Sequence, residues 1–130
     1  MIDTNILLSV AMFRSQKLNN MIERITEKHT LVICSYVIDE FYRVVKQKKP
    51  EMLGVTDNFL SKLSFEHVLS PKIIEGDRLF TIRDEEDYII LYTAIIENVD
   101  ILVTGDKDFY EVDIERPEVL SPAGFLEKYE

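Results

Sequence analysis

Two acidic residues follow short apolar runs, and two more fall on the inward faces of helical patterns. Asp3 comes directly after Met1-Ile2, and Asp106 follows Ile101-Leu102-Val103-Thr104 across a single glycine. In an open α/β sheet ligands bind beyond the carboxyl ends of the strands, so chemistry is expected first at these two positions. Glu40 has Val37 and Val44 at i−3 and i+4 with Phe41 beside it, and Asp87 has Ile90, Leu91 and Ala94 at i+3, i+4 and i+7. On helices this spacing turns both acids toward a core. A buried carboxylate without a partner is costly or takes up a proton, and the nearby sequence supplies only Arg43, Arg83 and Lys107 as cations. A hard dication, Mg2+ or Mn2+, would satisfy clustered carboxylates through oxygen alone, without His or Cys. His29 and His67 lack ligand spacing, and Cys34 reads as a small core residue. The chemistry of such a centre is metal-assisted hydrolysis.

Singly, each acid has a plainer role. Asp87 suits the first turn of a helix, Asp106 a turn or helix cap, and Asp3 a frayed terminus. Glu40, in the middle of a helical face, is hardest to explain that way. It is the coincidence of four that points to a site.

The elements that must position them alternate. Leu31-Val32-Ile33-Cys34 is a wholly apolar, β-branched run of the kind a buried parallel strand shows, and Ile101-Leu102-Val103-Thr104 is a second clear buried strand. A very short strand ending near Asp3, a possible edge strand over Phe65 to Leu69 and a last one near Val119-Leu120 complete the sheet. Helical spacing covers Ser15 to Lys28, Tyr36 to about Lys48 with Ser35 as N-cap, Val55 to Leu63, Asp84 to about Glu97, and Pro122 to Tyr129. Ile73 to Ile82 fits neither period. Strand-helix alternation at these lengths predicts an α/β fold, a mostly parallel central sheet flanked by helices on both faces.

At 130 residues, with 46% hydrophobic and 30% charged, the chain suits one globular domain over residues 1–130 and excludes disordered and low-complexity classes. One cysteine excludes a disulfide scaffold and fits a reducing compartment. Met1-Ile2-Asp3 puts an acid where a secretion signal carries bases, and no apolar run is long enough to span a bilayer, so a cytoplasmic protein without a membrane association is expected. The net charge is −9, and Lys107, Arg116 and Lys128 are the only bases after Asp84. A bulk basic footprint for nucleic acid is therefore absent, and a polyanion would need local cations. Arg43, Lys46, Lys48 and Lys49 form one such cluster, equally readable as a solvated helix end. Tyr36, Tyr42, Tyr88 and Tyr92 read as core or half-buried residues rather than base-stacking platforms.

In order and spacing, Ile2-Asp3-Thr4-Asn5-Ile6-Leu7, Ser35-Tyr36-Val37-Ile38-Asp39-Glu40-Phe41, Arg83-Asp84-Glu85-Glu86-Asp87 and Val103-Thr104-Gly105-Asp106-Lys107-Asp108-Phe109 resemble the motifs of PIN-domain ribonucleases. The tail Leu120-Ser121-Pro122-Ala123-Gly124-Phe125-Leu126 resembles that of the family's toxin branch. The resemblance implies a PIN-like three-layer fold and a Mg2+- or Mn2+-dependent endoribonuclease like the VapC-type toxins of toxin–antitoxin pairs. The family's four acids then fall on Asp3, Glu40, Asp87 and Asp106, as catalytic and metal-holding residues. Asp84 and Asp108 match auxiliary acids, and Thr4, Asn5 and Thr104 match polar residues of the site. RNA as substrate, a cognate antitoxin and a homodimer are implied with it. Family members carry several residues before the D-T-N motif, whereas only Met1-Ile2 precede it here, so either a clipped first strand or a start lying upstream is expected.

Two other classes compete. A catalytically inactive PIN-like interaction module would keep the fold without needing all four acids. A haloacid-dehalogenase-like phosphatase also places Asp at strand ends but requires a second Asp where this chain has Asn5.

Overall fold

A computed structural model describes residues 1–13 and 15–129. In chain order it contains helices α1 (Thr4–Phe13) and α2 (Gln16–Lys28), strand β1 (Val32–Cys34), helix α3 (Ser35–Lys48), a 3-10 turn (Pro50–Met52), helix α4 (Leu53–Lys62) and strand β2 (Glu66–Val68). Helix α5 (Glu85–Ile96), strand β3 (Ile101–Val103), helix α6 (Lys107–Tyr110), strand β4 (Glu118–Leu120) and helix α7 (Pro122–Lys128) follow. The α/β alternation expected from the apolar runs is present.

The strands are short and all pairings are parallel. β1 pairs with β2, Ile33 opposite His67, and β3 pairs with β4, Leu102 opposite Val119. The expected short first strand is a single parallel bridge, Ile2 beside Val103, with the Val103 N–H donating to the Met1 carbonyl at 2.9 Å. The described residues form this parallel sheet as two two-stranded ribbons. Ile33, Leu102 and Val103 are nonetheless buried, as strands covered by helices must be. Around them Ile2, Leu7, Met21, Val37, Phe41, Leu91 and Phe109 form the centre of the core.

Helix ends follow from specific side chains. Ser15 caps α2, and Ser121 caps α7 by accepting the Gly124 N–H at 3.0 Å. Asn98 ends α5 in the left-handed region at φ 54°, with the Val99 N–H reaching the Ala94 carbonyl and the Asn98 N–H that of Ile95. Asparagine tolerates this conformation better than most residues. The N-terminus of α3 corrects the sequence reading. Cys34, which has no capping side chain, holds the N-cap position, and Ser35 is already helical. The cap comes from across the fold: the Tyr36 N–H donates to Ser70 Oγ at 3.3 Å, and the Ser70 N–H donates to Ser35 Oγ at 2.8 Å. Residues 73–82 hold no regular element. Tyr88 anchors that segment, its hydroxyl accepting the Leu79 N–H at 3.1 Å while Arg78 lies 4.4 Å over its ring. Among the described residues no helix is long and apolar enough to cross a membrane.

The reciprocal Ser35–Ser70 pair ties the start of α3, and so Glu40, to the chain leaving β2. Ser70→Ala should destabilise the protein by about 1 kcal/mol, the usual value of a helix cap. The midpoint of urea unfolding, at unchanged slope, measures it.

Candidate active site

The site is assembled where β3 and the Met1-Ile2 segment end. Asp3 is 4% exposed and caps α1, its Oδ1 accepting the Ile6 N–H at 3.0 Å. Its Oδ2 accepts a hydrogen bond from the Thr104 hydroxyl. Thr104, fully buried at the end of β3, uses the same oxygen to accept the Asp106 N–H at 3.0 Å. One hydroxyl thus links the two acids that follow strands. Asp106 in turn caps α6, its Oδ1 accepting the Asp108 N–H at 2.9 Å.

Asp87 enters from the first turn of α5. Carboxylate oxygens of Asp87, Asp106 and Asp108 lie within 4.8 Å of one another. Among the described residues no Lys or Arg forms an ion pair with Asp3, Asp87, Asp106 or Asp108. The electrostatic consequence is large. Burial first, then the charges of Asp106, Asp84, Asp3 and Asp108, push the Asp87 carboxyl up to about 7. Asp3 is also raised, by burial above all and by Asp106 and Glu40, against the lowering effect of the Thr104 and Ile6 hydrogen bonds. The Thr4 hydroxyl is buried beside Asp3 without a hydrogen-bond partner. Clustered oxygen donors carrying uncompensated charge fit a hard divalent ion such as Mg2+ or Mn2+.

The remaining sequence-predicted residues divide. Asp108, expected as an auxiliary acid, belongs to the closest-packed trio. Asp84 is exposed and caps α5, its Oδ1 accepting the Glu86 N–H at 2.9 Å, and Asn5 is exposed. Glu40 is half-buried on α3 and not part of the trio. Its Oε2 lies 3.5 Å from Arg43 Nη2, which is also 4.0 Å from Glu86 Oε1 on α5. Of the three cations the sequence offers to the four acids, Arg43 is thus the one that pairs, with Glu40. Lys46, Lys48 and Lys49 are exposed at the far end of α3, roughly 10 Å beyond Glu40 at 1.5 Å of rise per residue.

Two tyrosines escaped the sequence reading as site residues. Tyr110, partly exposed, donates its hydroxyl to the Thr104 carbonyl at 2.5 Å, and burial with the charges of Asp3 and Asp106 pushes its phenol upward. Tyr36 is pushed up to about 12 by burial, Glu40 and Glu86, with Arg43 opposing. The only signal for either is its nearness in sequence to a site residue, which does not separate it from other half-buried aromatics.

The PIN domain family profile matches residues 1–108, a span containing every acid named here. Among curated proteins nothing matches. In three dimensions the chain is similar to one in the crystal structure of VapBC2 from Rickettsia felis bound to a DNA fragment from their promoter. That similarity has a TM-score of 0.69 and covers 92% of this chain and 95% of the other at 23% identity, a likeness of fold.

Because the Asp87 carboxyl is raised on folding, the folded state holds the extra proton. Its contribution to stability is full below the unfolded pKa, near 4, and is lost as pH rises through about 7. In chelator, Asp87→Asn should match wild type near pH 4 and exceed it at pH 8. The gain is about 1–2 kcal/mol, reduced from the full shift by solvent screening at this half-exposed position. Urea titrations across that range test the sign, and millimolar Mn2+ should close the gap at pH 8.

Proposed function

The chain belongs to the PIN domain family, and from that membership and the geometry of its acids we propose that it is a Mg2+- or Mn2+-dependent endoribonuclease, the toxin component of a toxin–antitoxin pair. The observation that carries the reading is the approach of Asp87, Asp106 and Asp108 within 4.8 Å of one another, with no cation paired to them among the described residues. These three would hold the ion, with Asp3 alongside. A bound dication supplies an activated water for in-line attack on a phosphodiester and offsets charge on the scissile phosphate.

The chain's own groups prepare the site. Thr104 fixes the Asp3 carboxylate and, by accepting the Asp106 N–H, sets the turn from which Asp106 and Asp108 project. Asp106 Oδ1 is committed to the α6 cap, which leaves Oδ2 free. Burial and the neighbouring carboxylates push the Asp87 carboxyl up to about 7, and burial raises that of Asp3 as well. The exposed cations Arg43, Lys46, Lys48 and Lys49 are proposed to contact RNA phosphates, which an acidic protein must otherwise repel. A cognate antitoxin, a homodimer and a cytoplasmic setting belong to the same reading, supported by family membership and by the VapBC2 likeness in fold.

Single-stranded RNA should be cleaved in Mn2+ or Mg2+ and spared in EDTA. Asp106→Asn should lower the rate by at least about 100-fold while circular dichroism stays native. Equal, metal-independent cleavage by both proteins would remove the assignment. A folded wild type that neither binds Mn2+ nor cleaves RNA would favour the interaction module instead.

A further inference from the structure

The turn that carries two of the clustered acids has almost no stability of its own. Helix α6 is four residues long, and a single turn closes too few hydrogen bonds to offset the ordering of its backbone. Gly105, which joins it to β3, is exposed and has open space where a side chain would sit, so it lends the turn no steric definition. Three contacts hold α6 in place. Phe109 is buried in the core. Asp106 Oδ1 accepts the Asp108 N–H, but that tie is made by one of the groups on which an ion would draw. The third contact is the Tyr110 hydroxyl, which donates to the Thr104 carbonyl at 2.5 Å and so joins the last residue of α6 back to the residue before Gly105.

Thr104 is thereby engaged through every polar group it has. Its N–H donates to the Leu120 carbonyl at 3.0 Å, its hydroxyl donates to Asp3 and accepts the Asp106 N–H, and its carbonyl is held by Tyr110. The first of these fixes it to β4, the next two to the acids, and the last closes the turn into a ring from residue 104 to residue 110. The phenol oxygen is near enough to the site for the charges of Asp3 and Asp106 to act on it, while the Ser121 hydroxyl, which caps α7, acts on it in the opposite sense. Tyr110 therefore stands between the acid-bearing turn and the start of α7.

We propose that Tyr110 is a positioning residue for the ion: by fixing the Thr104 carbonyl it sets the direction in which Asp106 and Asp108 project, without itself contributing a ligand. This rests on the nuclease reading above and adds to it a residue outside the acidic set. The role belongs to the phenol hydroxyl and not to the ring, because the hydroxyl makes the one polar fastening of α6 that no carboxylate shares.

Tyr110→Phe removes the hydroxyl and keeps the ring. Followed by electron paramagnetic resonance of the free ion, its Mn2+ affinity should be about tenfold weaker than that of wild type, the usual cost of removing a group that orients a metal ligand. In RNA cleavage, kcat at limiting Mn2+ should fall by a similar factor, KM for RNA should stay within about twofold, and saturating Mn2+ should restore kcat to within about threefold. Tyr129→Phe is the control. It removes a phenol hydroxyl bonded to Glu118 at 2.8 Å instead of to the turn, and should bind Mn2+ as wild type does. The effect of Tyr110→Phe on Mn2+ affinity should merge with that of Asp108→Asn in the double variant and multiply with that of Asp87→Asn, which projects from α5. Mn2+ affinity of Tyr110→Phe within about twofold of wild type, equal losses in Tyr110→Phe and Tyr129→Phe, or multiplied losses with Asp108→Asn would overturn the proposal and leave the nuclease intact. A wild type that neither binds Mn2+ nor cleaves RNA removes the nuclease reading and this one with it.

Discussion

The constraint on which the structure turns is repulsion among carboxylates gathered at partly dry strand ends. Asp3 is buried, and its charge is tolerable only because both oxygens accept hydrogen bonds, one from the Ile6 N–H and one from the Thr104 hydroxyl. Hydrogen bonds to the charged form favour ionisation, and burial opposes it; here burial remains the larger effect. Thr104 is the pivot because its single oxygen serves both strand-end acids, donating to one and accepting from the backbone of the other. The local arrangement is unfavourable by ordinary packing rules, which is the usual mark of a functional site supported by the rest of the fold.

That support is a core built against very short strands. Ile2 and Leu102 are fully buried immediately before the residues that carry chemistry, so the apolar run ends where the polar site begins. Asp87 is delivered by α5, whose N-terminal dipole favours negative charge, and Asp84 satisfies the first exposed amide there. Glu85, Glu86 and Asp87 nevertheless crowd one turn, more charge than a dipole offsets. Part of the excess is met by Arg78 on Glu85 and Arg43 near Glu86, whereas the Asp87 carboxyl is raised by burial first and by its acidic neighbours second.

Much of this is legible from residue order alone. The apolar runs at 31–34 and 101–104 mark β1 and β3, and an acid just beyond the Ile2 bridge and another just beyond β3 follow directly. Helical spacing turns Asp87 inward correctly, and Glu40 is half-buried as its spacing requires. Contacts set by tertiary docking are not legible. The Ser70 cap on α3 joins residues 34 apart, so the nearer Ser35 is the natural but mistaken choice. The Arg43–Glu86 approach exists only once α3 and α5 meet. Asp108 joins the trio because Asp106 winds the chain into the single turn α6, and an i, i+2 pair of acids in sequence is equally compatible with side chains that diverge. The interruption of the sheet into two ribbons leaves no trace in the two apolar runs, since β1 and β3 have the same burial pattern.

The excess of acid also decides how substrate and ion must relate on the proposed reading. A chain of net charge −9, with its acids concentrated after Asp84, has no long-range field to draw a polyanion inward. Without a dication, a phosphodiester approaching Asp87, Asp106 and Asp108 meets negative charge paired with no cation among the described residues. With one, the same carboxylates hold a positive centre that attracts the phosphate. Ion and RNA therefore stabilise one another at a shared site, and by thermodynamic linkage each must tighten the other by an equal factor. The acidity that looks like an obstacle to binding RNA is then what makes binding conditional on the metal that performs the hydrolysis.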